Sequence, residues 1–243
     1  MKLGSWPDGY GQSVLASVDS TLNEAARRAS DAAGPEWILA LEQTAARGRR
    51  GRAWEMPPGN FAATLLMPMP GAAGQAALRS FVMSLALREA CVAATGREDA
   101  FALKWPNDVL LRGGKLAGIL LETVSPAHLA IGVGVNLVAV PSAKEIEPDA
   151  VPPVSLGTQI APEAFLDLLA VAFARFEAQF QTHGFAPIRT AWLAHAARLG
   201  EVITARTTRE THTGTFADVD ADGQLVLETA KGRMTIPAAD VYF

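Results

Sequence analysis

Apolar positions recur at helical spacing in two stretches of the chain. Between Pro162 and Thr182, the residues Phe165, Leu168, Leu169, Ala172, Phe173, Phe176 and Phe180 share one face and predict an amphipathic helix. Gln75 to Thr95 is largely apolar, carries no Pro or Gly, and predicts one long helix that Gly96 stops. Ala186 to Leu199 predicts another, closed by Gly200. Near the start, a short apolar stretch from Val14 to Val18 precedes an Ala-rich segment, Ala25 to Ala33, compatible with a helix. Thr21 and Glu24 stand before it at capping-box spacing. Short apolar runs predict strands at Trp37 to Leu41, Asn60 to Met67 (ended by Pro68 and Pro70), Phe101 to Lys104, Asp108 to Leu111, Leu116 to Val124 and His128 to Val135. The pair Gly113-Gly114 suits a hairpin turn. Pro141 to Leu156 is rich in Pro, Glu and Asp and reads as a surface loop.

The texture changes after Gly200. Glu201 to Arg206, Thr213 to Val219, Leu225 to Glu228 and Arg233 to Ile236 are short, rich in Val, Ile and Thr, and broken by turns such as Asp222-Gly223. They predict a small β-barrel, which sets the expected domains at 1–199 and 200–243. The first part lacks a regular βαβ rhythm and favours an α+β layer, a mixed β-sheet with helices, over a doubly wound sheet.

With 243 residues, 49% hydrophobic and 19% charged, the chain can bury a sizeable core, and wholesale disorder is excluded. No apolar run reaches the roughly 18 residues that span a bilayer. No apolar stretch follows the early Lys2, so neither a signal peptide nor secretion is expected, and the expected location is cytoplasmic. The single cysteine, Cys91, excludes an internal disulfide and a Cys-based zinc cluster. His128, His183, His195 and His212 show no metal-ligand spacing. A net charge of −4 predicts no global attraction to nucleic acid or to an anionic membrane.

Chemistry concentrates in a few segments. Arg47, Arg49, Arg50 and Arg52 fall within six residues, interleaved with Gly48 and Gly51. Guanidinium forks suit carboxylate or phosphate, and glycines admit a close ligand. The segment reads equally as an anion clamp or as a solvated basic loop. Lys104-Trp105-Pro106-Asn107-Asp108 is good turn chemistry, and alone it reads first as an ordinary hairpin turn. The same residues can also serve an ATP site, the Asp holding a hydrated Mg²⁺ and the Lys meeting a phosphate. Gly114 to Glu122 is a strand with Lys115 at its mouth and Gly118 inside, a mark of close approach. Gly132 to Asn136 ends a strand on a polar amide, and Asp19-Ser20-Thr21 is a helix start whose hydroxyls can also meet a polar ring.

Taken in order, Ser20-Thr21, Gln43, Arg47 to Trp54, Lys104 to Asp108, Gly114 to Glu122 and Gly132 to Asn136 resemble the biotin–protein ligase family, over roughly Ser20 to Leu156, with the C-terminal β segment fitting as well. Two positions depart from the family pattern. Leu22 stands where Asn is usual, with Asn23 one residue later, and Ala46 replaces the first Gly of the clamp. The resemblance implies a catalytic sheet like that of class II aminoacyl-tRNA synthetases, followed by an SH3-like β-barrel.

It further implies that biotin meets Ser20, Thr21, Leu22, Gln43, Arg47, Gly48, Arg49, Trp54, Lys115, Leu116, Gly118 and Leu120. ATP falls to Arg49, Arg50, Gly51, Trp105, Asn107, Asp108, Lys115 and Asn136, with Asp108 and Asn136 toward Mg²⁺. Arg47, Arg49, Lys115 and Asp108 are the implied catalytic residues, and the 141–156 loop covers the adenine. The implied reaction joins biotin to AMP and passes it to a lysine of a biotin carboxyl carrier domain, of acetyl-CoA carboxylase or a related carboxylase. The clamp, poor in apolar residues, is expected to be mobile until ligand orders it.

Lipoate–protein ligase and octanoyl transferase share the implied architecture, but the Arg-rich clamp and the Lys104 to Asp108 motif fit biotin better. An inert scaffold carrying a β-barrel binding module is the non-enzyme alternative. Only 19 residues precede Ser20, too few for a helix-turn-helix, so no sequence-specific DNA binding is expected. No membrane association is expected either. A homodimer is compatible with the sheet edges and not demanded by them.

Overall fold

A computed structural model describes residues 5–69, 73–140 and 151–243. Seven strands form the main sheet: β1 (Gly11–Leu15), β2 (Glu36–Ala40), β3 (Phe61–Pro68), β4 (Phe101–Lys104), β5 (Asp108–Leu111), β6 (Gly114–Ser125) and β7 (His128–Val135). Their spatial order is β1-β2-β3-β7-β6-β5-β4. Only β1 and β2 run parallel, and every other neighbour is antiparallel. The mixed sheet with helices is the α+β layer that the irregular strand rhythm predicts.

The central strands are apolar on both faces because both faces are covered. Trp37 and Leu39 of β2 join the main core, while Ile38 between them joins a second cluster with Leu22, Ala25, Leu66 and Ala130. This is the two-residue alternation of a strand with helices on either side. The second cluster belongs to α1 (Thr21–Arg28). The main core belongs to α3 (Arg79–Thr95) and α4 (Pro162–His183), where Trp37 meets Phe173 edge-on at 6.0 Å. Inside this layer Arg79 and Glu177 form an ion pair at 2.6 Å with 2% exposure each.

Several elements differ from expectation for identifiable reasons. The long helix from Gln75 is two helices, α2 (Ala73–Ala77) and α3, separated at Leu78, whose side chain drops into the core. Arg79 reaches back across the break to the Gln75 carbonyl at 3.3 Å. The cap of α1 is Ser20, not Thr21. Its hydroxyl accepts from the Leu22 amide at 3.3 Å, and Glu24 pairs with Arg27 and Arg28 instead of closing a capping box. That helix ends at Arg28, short of Ala33. The turn between β5 and β6 centres on Arg112 and Gly113, at φ +49° and +85°, one residue earlier than expected. The helix expected to reach Leu199 is α5 (Phe185–Leu193). Beyond it, the His195 carbonyl and Ala197 amide bond both backbone groups of Leu103, so this segment satisfies the edge of β4 rather than its own helical ladder. Strand β1 had no strand prediction because its edge position leaves it mostly exposed and polar.

The C-terminal strands are β8 (Val202–Arg206), β9 (Thr211–Val219), β10 (Leu225–Thr229), β11 (Gly232–Ile236) and β12 (Asp240–Tyr242). They pair antiparallel in the order β11-β10-β9-β8-β12, and among the described residues no pairing joins β11 to β12. The unit is a small all-β sheet, and hydrogen bonds do not close it into a barrel. It shares the main core through Phe216, Val219, Leu225 and Leu227. Its Gly223, at φ +78°, sits so close to α3 that a Cβ would meet Leu78 and Phe81 at 2.8 and 2.9 Å. The indole N–H of Trp105 donates to the Gly223 carbonyl at 3.0 Å. Docking of this kind makes the C-terminal sheet a wall of the molecule. Among the described residues, no helix is long and apolar enough to cross a membrane.

The Arg79–Glu177 pair offers a stability test. Glu177→Ala strands a buried guanidinium and is expected to cost about 3–5 kcal/mol in denaturant unfolding, whereas the apolar pair Arg79→Met with Glu177→Leu is expected to stay within about 1 kcal/mol of the parent or exceed it.

Candidate functional site

A cavity of 520 Å³ opens on the α1 side of the sheet, between β6, β7, the Arg-rich loop and β12. Its floor is made of glycines. Gly118 of β6 lies opposite Gly134 of β7, and Gly132 follows two residues away on the same face. A Cβ on Gly134 would come within 2.5 Å of the Trp54 indole, and one on Gly132 within 2.9 Å of Leu22. The indole and the leucine thus rest directly on sheet backbone, which is why the Gly-x-Gly pattern stands there.

One end of the cavity is polar and neutral. Ser20 and Thr21 reach it because α1 begins there. Both the amide and the hydroxyl of Thr21 donate to Gln43 Oε1, at 2.8 and 3.1 Å, and Thr64 donates to the Thr21 hydroxyl at 2.8 Å. The carboxamide oxygen of Gln43 is thereby committed. Among the described residues its nitrogen has the Met56 thioether at 3.8 Å, a weak acceptor, which leaves its donors for a ligand.

The Arg-rich segment folds back on itself as a finger. Gly48 N–H donates to Arg52 O at 2.7 Å, Trp54 N–H donates to Ala46 O at 3.0 Å, and Arg50 turns at φ +57°. The base of the finger is pinned by Arg47, which donates to Glu122 at 2.7 and 3.2 Å and to the Asn23 carboxamide oxygen at 2.5 Å. Its tip is pinned by β12. Arg50 and Arg52 lie 2.8 and 3.0 Å from one oxygen of Asp240, and Arg49 lies 3.5 Å from the other. The anchors of this loop are carboxylates, which an apolar count overlooks.

The other end is ionic. Asp108, at the start of β5, is buried, with Lys115 at 2.9 Å and Lys104 at 3.8 Å. Burial alone would raise the Asp108 pKa, but the Lys115 and Lys104 charges outweigh it and hold the carboxyl below its usual range. Burial draws the Lys104 ammonium and the Arg49 guanidinium below their ordinary values, against the pull of Asp108 and Asp240. These two cations are partly stripped of water and gain from an anionic ligand. Lys115 N–H also donates to Pro152 O at 2.8 Å, so the 151–156 stretch forms a lip at the cavity. Residues 141–150 of the expected surface loop lie outside the described residues.

Most residues singled out from the sequence line this cavity: Ser20, Thr21, Leu22, Gln43, Arg47, Gly48, Arg49, Trp54, Asn107, Asp108, Lys115, Gly118, Leu120 and Asn136. Four do not. Leu116 points to the opposite face of β6 and is wholly buried in the core. Trp105 is also core and serves as the tether to Gly223. Arg50 and Gly51 sit at the finger tip, outside the lining. No three His, Cys, Asp or Glu side chains form a metal cluster among the described residues. Sequence reasoning missed Glu122 and Asn23, which hold Arg47, and Asp240, which holds the tip. Glu122 lies in a quoted motif and could have been flagged as a charge facing the clamp, whereas no local signal marks Asp240.

Comparison with known proteins decides the family. Residues 14–136 match the model of the biotin/lipoate A/B protein ligase family, and 199–243 match that of the biotin protein ligase C-terminal domain. A biotin–[acetyl-CoA-carboxylase] ligase of Paracoccus denitrificans is 54% identical over 95% of this chain and 99% of its own. The chain belongs to the biotin protein ligase family. A bifunctional ligase/repressor BirA of Bacillus spizizenii is 30% identical over 95% of the chain and 72% of its own length. In fold, the chain superposes on the biotin protein ligase of Aquifex aeolicus, solved with biotin and ATP, at TM-score 0.82, 24% identity, and 95% and 97% coverage.

The glycine floor of this ligase can be tested by stability. Gly134→Ala is expected to overpack against Trp54 and cost about 1–3 kcal/mol, and most of that cost should vanish in a Trp54→Ala background, giving a coupling of at least about 0.5 kcal/mol in a double-mutant cycle read by denaturant melts.

Proposed function

We propose that the chain condenses biotin with ATP to biotinyl-5′-AMP, releasing pyrophosphate, and then transfers the biotinyl group to a lysine of a biotin carboxyl carrier domain of acetyl-CoA carboxylase or a related carboxylase. The observation that carries this reading is the polarity of the cavity. One end offers neutral hydrogen-bond groups over an apolar and glycine floor, and the other offers fixed cations. That suits a molecule with a polar ring at one end and a carboxylate at the other.

In this reading the ureido ring meets Ser20, Thr21 and the amide nitrogen of Gln43, and an analogue that lacks the matching polar atoms is rejected. Leu22, Gly118, Leu120 and Trp54 enclose the ring and tail. The carboxylate oxygen attacks the α-phosphorus as the bond to the pyrophosphate oxygen breaks. Arg47, Arg49 and Lys115 screen the meeting anions and take up the charge that grows on phosphate, while the Gly48 amide is held within the finger by Arg52 O. Asn107 and Asn136 lie toward the nucleotide, and Lys104 adds a cation on that side. The lysine amine of the carrier then attacks the acyl carbon, and AMP leaves with the former carboxylate oxygen. The chain needs no nucleophile of its own: burial pushes the Cys91 thiol up to about 12, and it lies in the core.

Mg²⁺ fits the donor set in part. Asp108 Oδ1 is buried and faces the Lys115 ammonium at 2.9 Å, so Mg²⁺ would share this carboxylate with Lys115, and Asn136 lines the same cavity. One carboxylate and one amide are a typical share for Mg²⁺ bound chiefly by phosphates and water. When bound, the ion would neutralise phosphate charge.

The match to the biotin ligase C-terminal domain and the 54% identity to a relative named as a biotin ligase favour biotin over lipoate. We place the chain in the cytoplasm, beside the carboxylases it would modify.

Mixing the protein with ATP, Mg²⁺ and biotin should release pyrophosphate, with lipoate giving little. Arg47→Ala should lower the rate by about 100-fold. Release with lipoate but not biotin would reassign the substrate, and wild-type rates in the variant would remove the clamp from the mechanism.

A further inference from the structure

The finger that carries the arginines is held by two independent anchors. Arg47, at its base, is tied to Glu122 and Asn23, both in the catalytic layer. Arg49, Arg50 and Arg52, toward its tip, converge on β12 of the C-terminal sheet. Arg50 and Arg52 share Asp240 Oδ2 at 2.8 and 3.0 Å. Arg49 faces Oδ1 at 3.5 Å and donates to the Ala239 carbonyl and, on the catalytic side, to Asn107 Oδ1, both at 3.4 Å. The carboxylate is 12% exposed, so solvent screens these contacts only partly.

The position of Asp240 is rigidly set. Its strand pairs with β8 in the register Asp240 to Arg206 and Val241 to Ala205, and Val241 is buried in the common core. Asp240 and Tyr242 line the cavity, and Val241 between them reaches both the lining and the core. Asp240 is the single charged residue that the C-terminal sheet contributes to the lining among the described residues. Its charge lies away from the neutral end of the cavity and pulls on Lys104 without an ion pair between them. Its partners are the guanidinium groups of the finger.

We propose that Asp240 is a positioning residue for the nucleotide end of the site. It holds the finger tip over the cavity so that ATP meets a phosphate cradle already assembled, and it makes the C-terminal sheet a working part of the active site. Ordering a Gly-containing finger costs conformational entropy, and the Asp240 contacts offset part of that cost before substrate binds. Because Arg47 has its own anchor, the effect is confined to the nucleotide. The proposal rests on the reading of the finger as the phosphate clamp.

The test compares Asp240→Asn with Asp240→Glu and with the paired change Arg50→Gln, Arg52→Gln, which removes the two shorter contacts from the exposed side and leaves Arg49. Amide hydrogen exchange of residues 46–54, without substrates, should speed up several-fold in Asp240→Asn and in the paired change, and stay near wild type in Asp240→Glu. In pyrophosphate-release assays, Asp240→Asn should raise the KM for ATP about tenfold and leave the KM for biotin within about twofold, a split that a general loss of stability does not produce. Unchanged exchange in either folded variant, or equal rises in both KM values, overturns the proposal. Should the wild type release no pyrophosphate with biotin, the parent reading fails, and the exchange result still decides whether Asp240 orders the finger.

Discussion

A carboxylate and a triphosphate repel each other, and any site that joins them must first hold enough fixed positive charge to cancel that repulsion. Fixed cations in a partly dry pocket are themselves unstable without counter-ions. The chain meets both demands by giving its cavity cations protein partners: Glu122 for Arg47, Asp108 for Lys115 and Lys104, and Asp240 for the finger tip. Incoming anions exchange places with, or add to, carboxylates already in position. The cations are therefore aimed at the cavity before the chemistry requires them, the preorganisation on which electrostatic catalysis relies.

The rest of the fold serves that arrangement. Glycines on β6 and β7 let a ring and an aliphatic side chain lie flat on the sheet, which deepens the pocket without widening the strands. Helix α1 starts at the neutral end, so its first residues are presented by a fixed cap. The C-terminal sheet docks through Gly223 and Trp105 and thereby delivers β12 to the opposite rim. A tryptophan that looks like a nucleotide contact in sequence is thus a strut that sets the distance between two parts of the same site.

Much of this was legible in the residues. Strands buried on one or both faces, such as Trp37 to Leu41 and His128 to Val135, announce themselves through composition and length. The motif residues gather in one cavity because motifs of this kind are local and chemically distinctive. What escaped was decided by tertiary contact. β1 is an exposed edge. The tail of α5 is diverted to pair with Leu103. Leu116 stands two positions before Gly118 and would share its face in a regular strand, but a β-bulge at Leu116, where the register with β5 shifts, turns it into the core. Asp240 stands 188 residues beyond Arg52 in the chain, so no window of sequence could pair them.

The most direct test of the charge-balance account is a crystal structure with biotin and a non-hydrolysable ATP analogue bound together. The account predicts guanidinium nitrogens of Arg47 and Arg49 within about 3 Å of the biotin carboxylate or the α-phosphate, the distance of a charge-assisted hydrogen bond. Both substrates seated in the cavity while those arginines point into bulk solvent, or ligands bound elsewhere altogether, would contradict it.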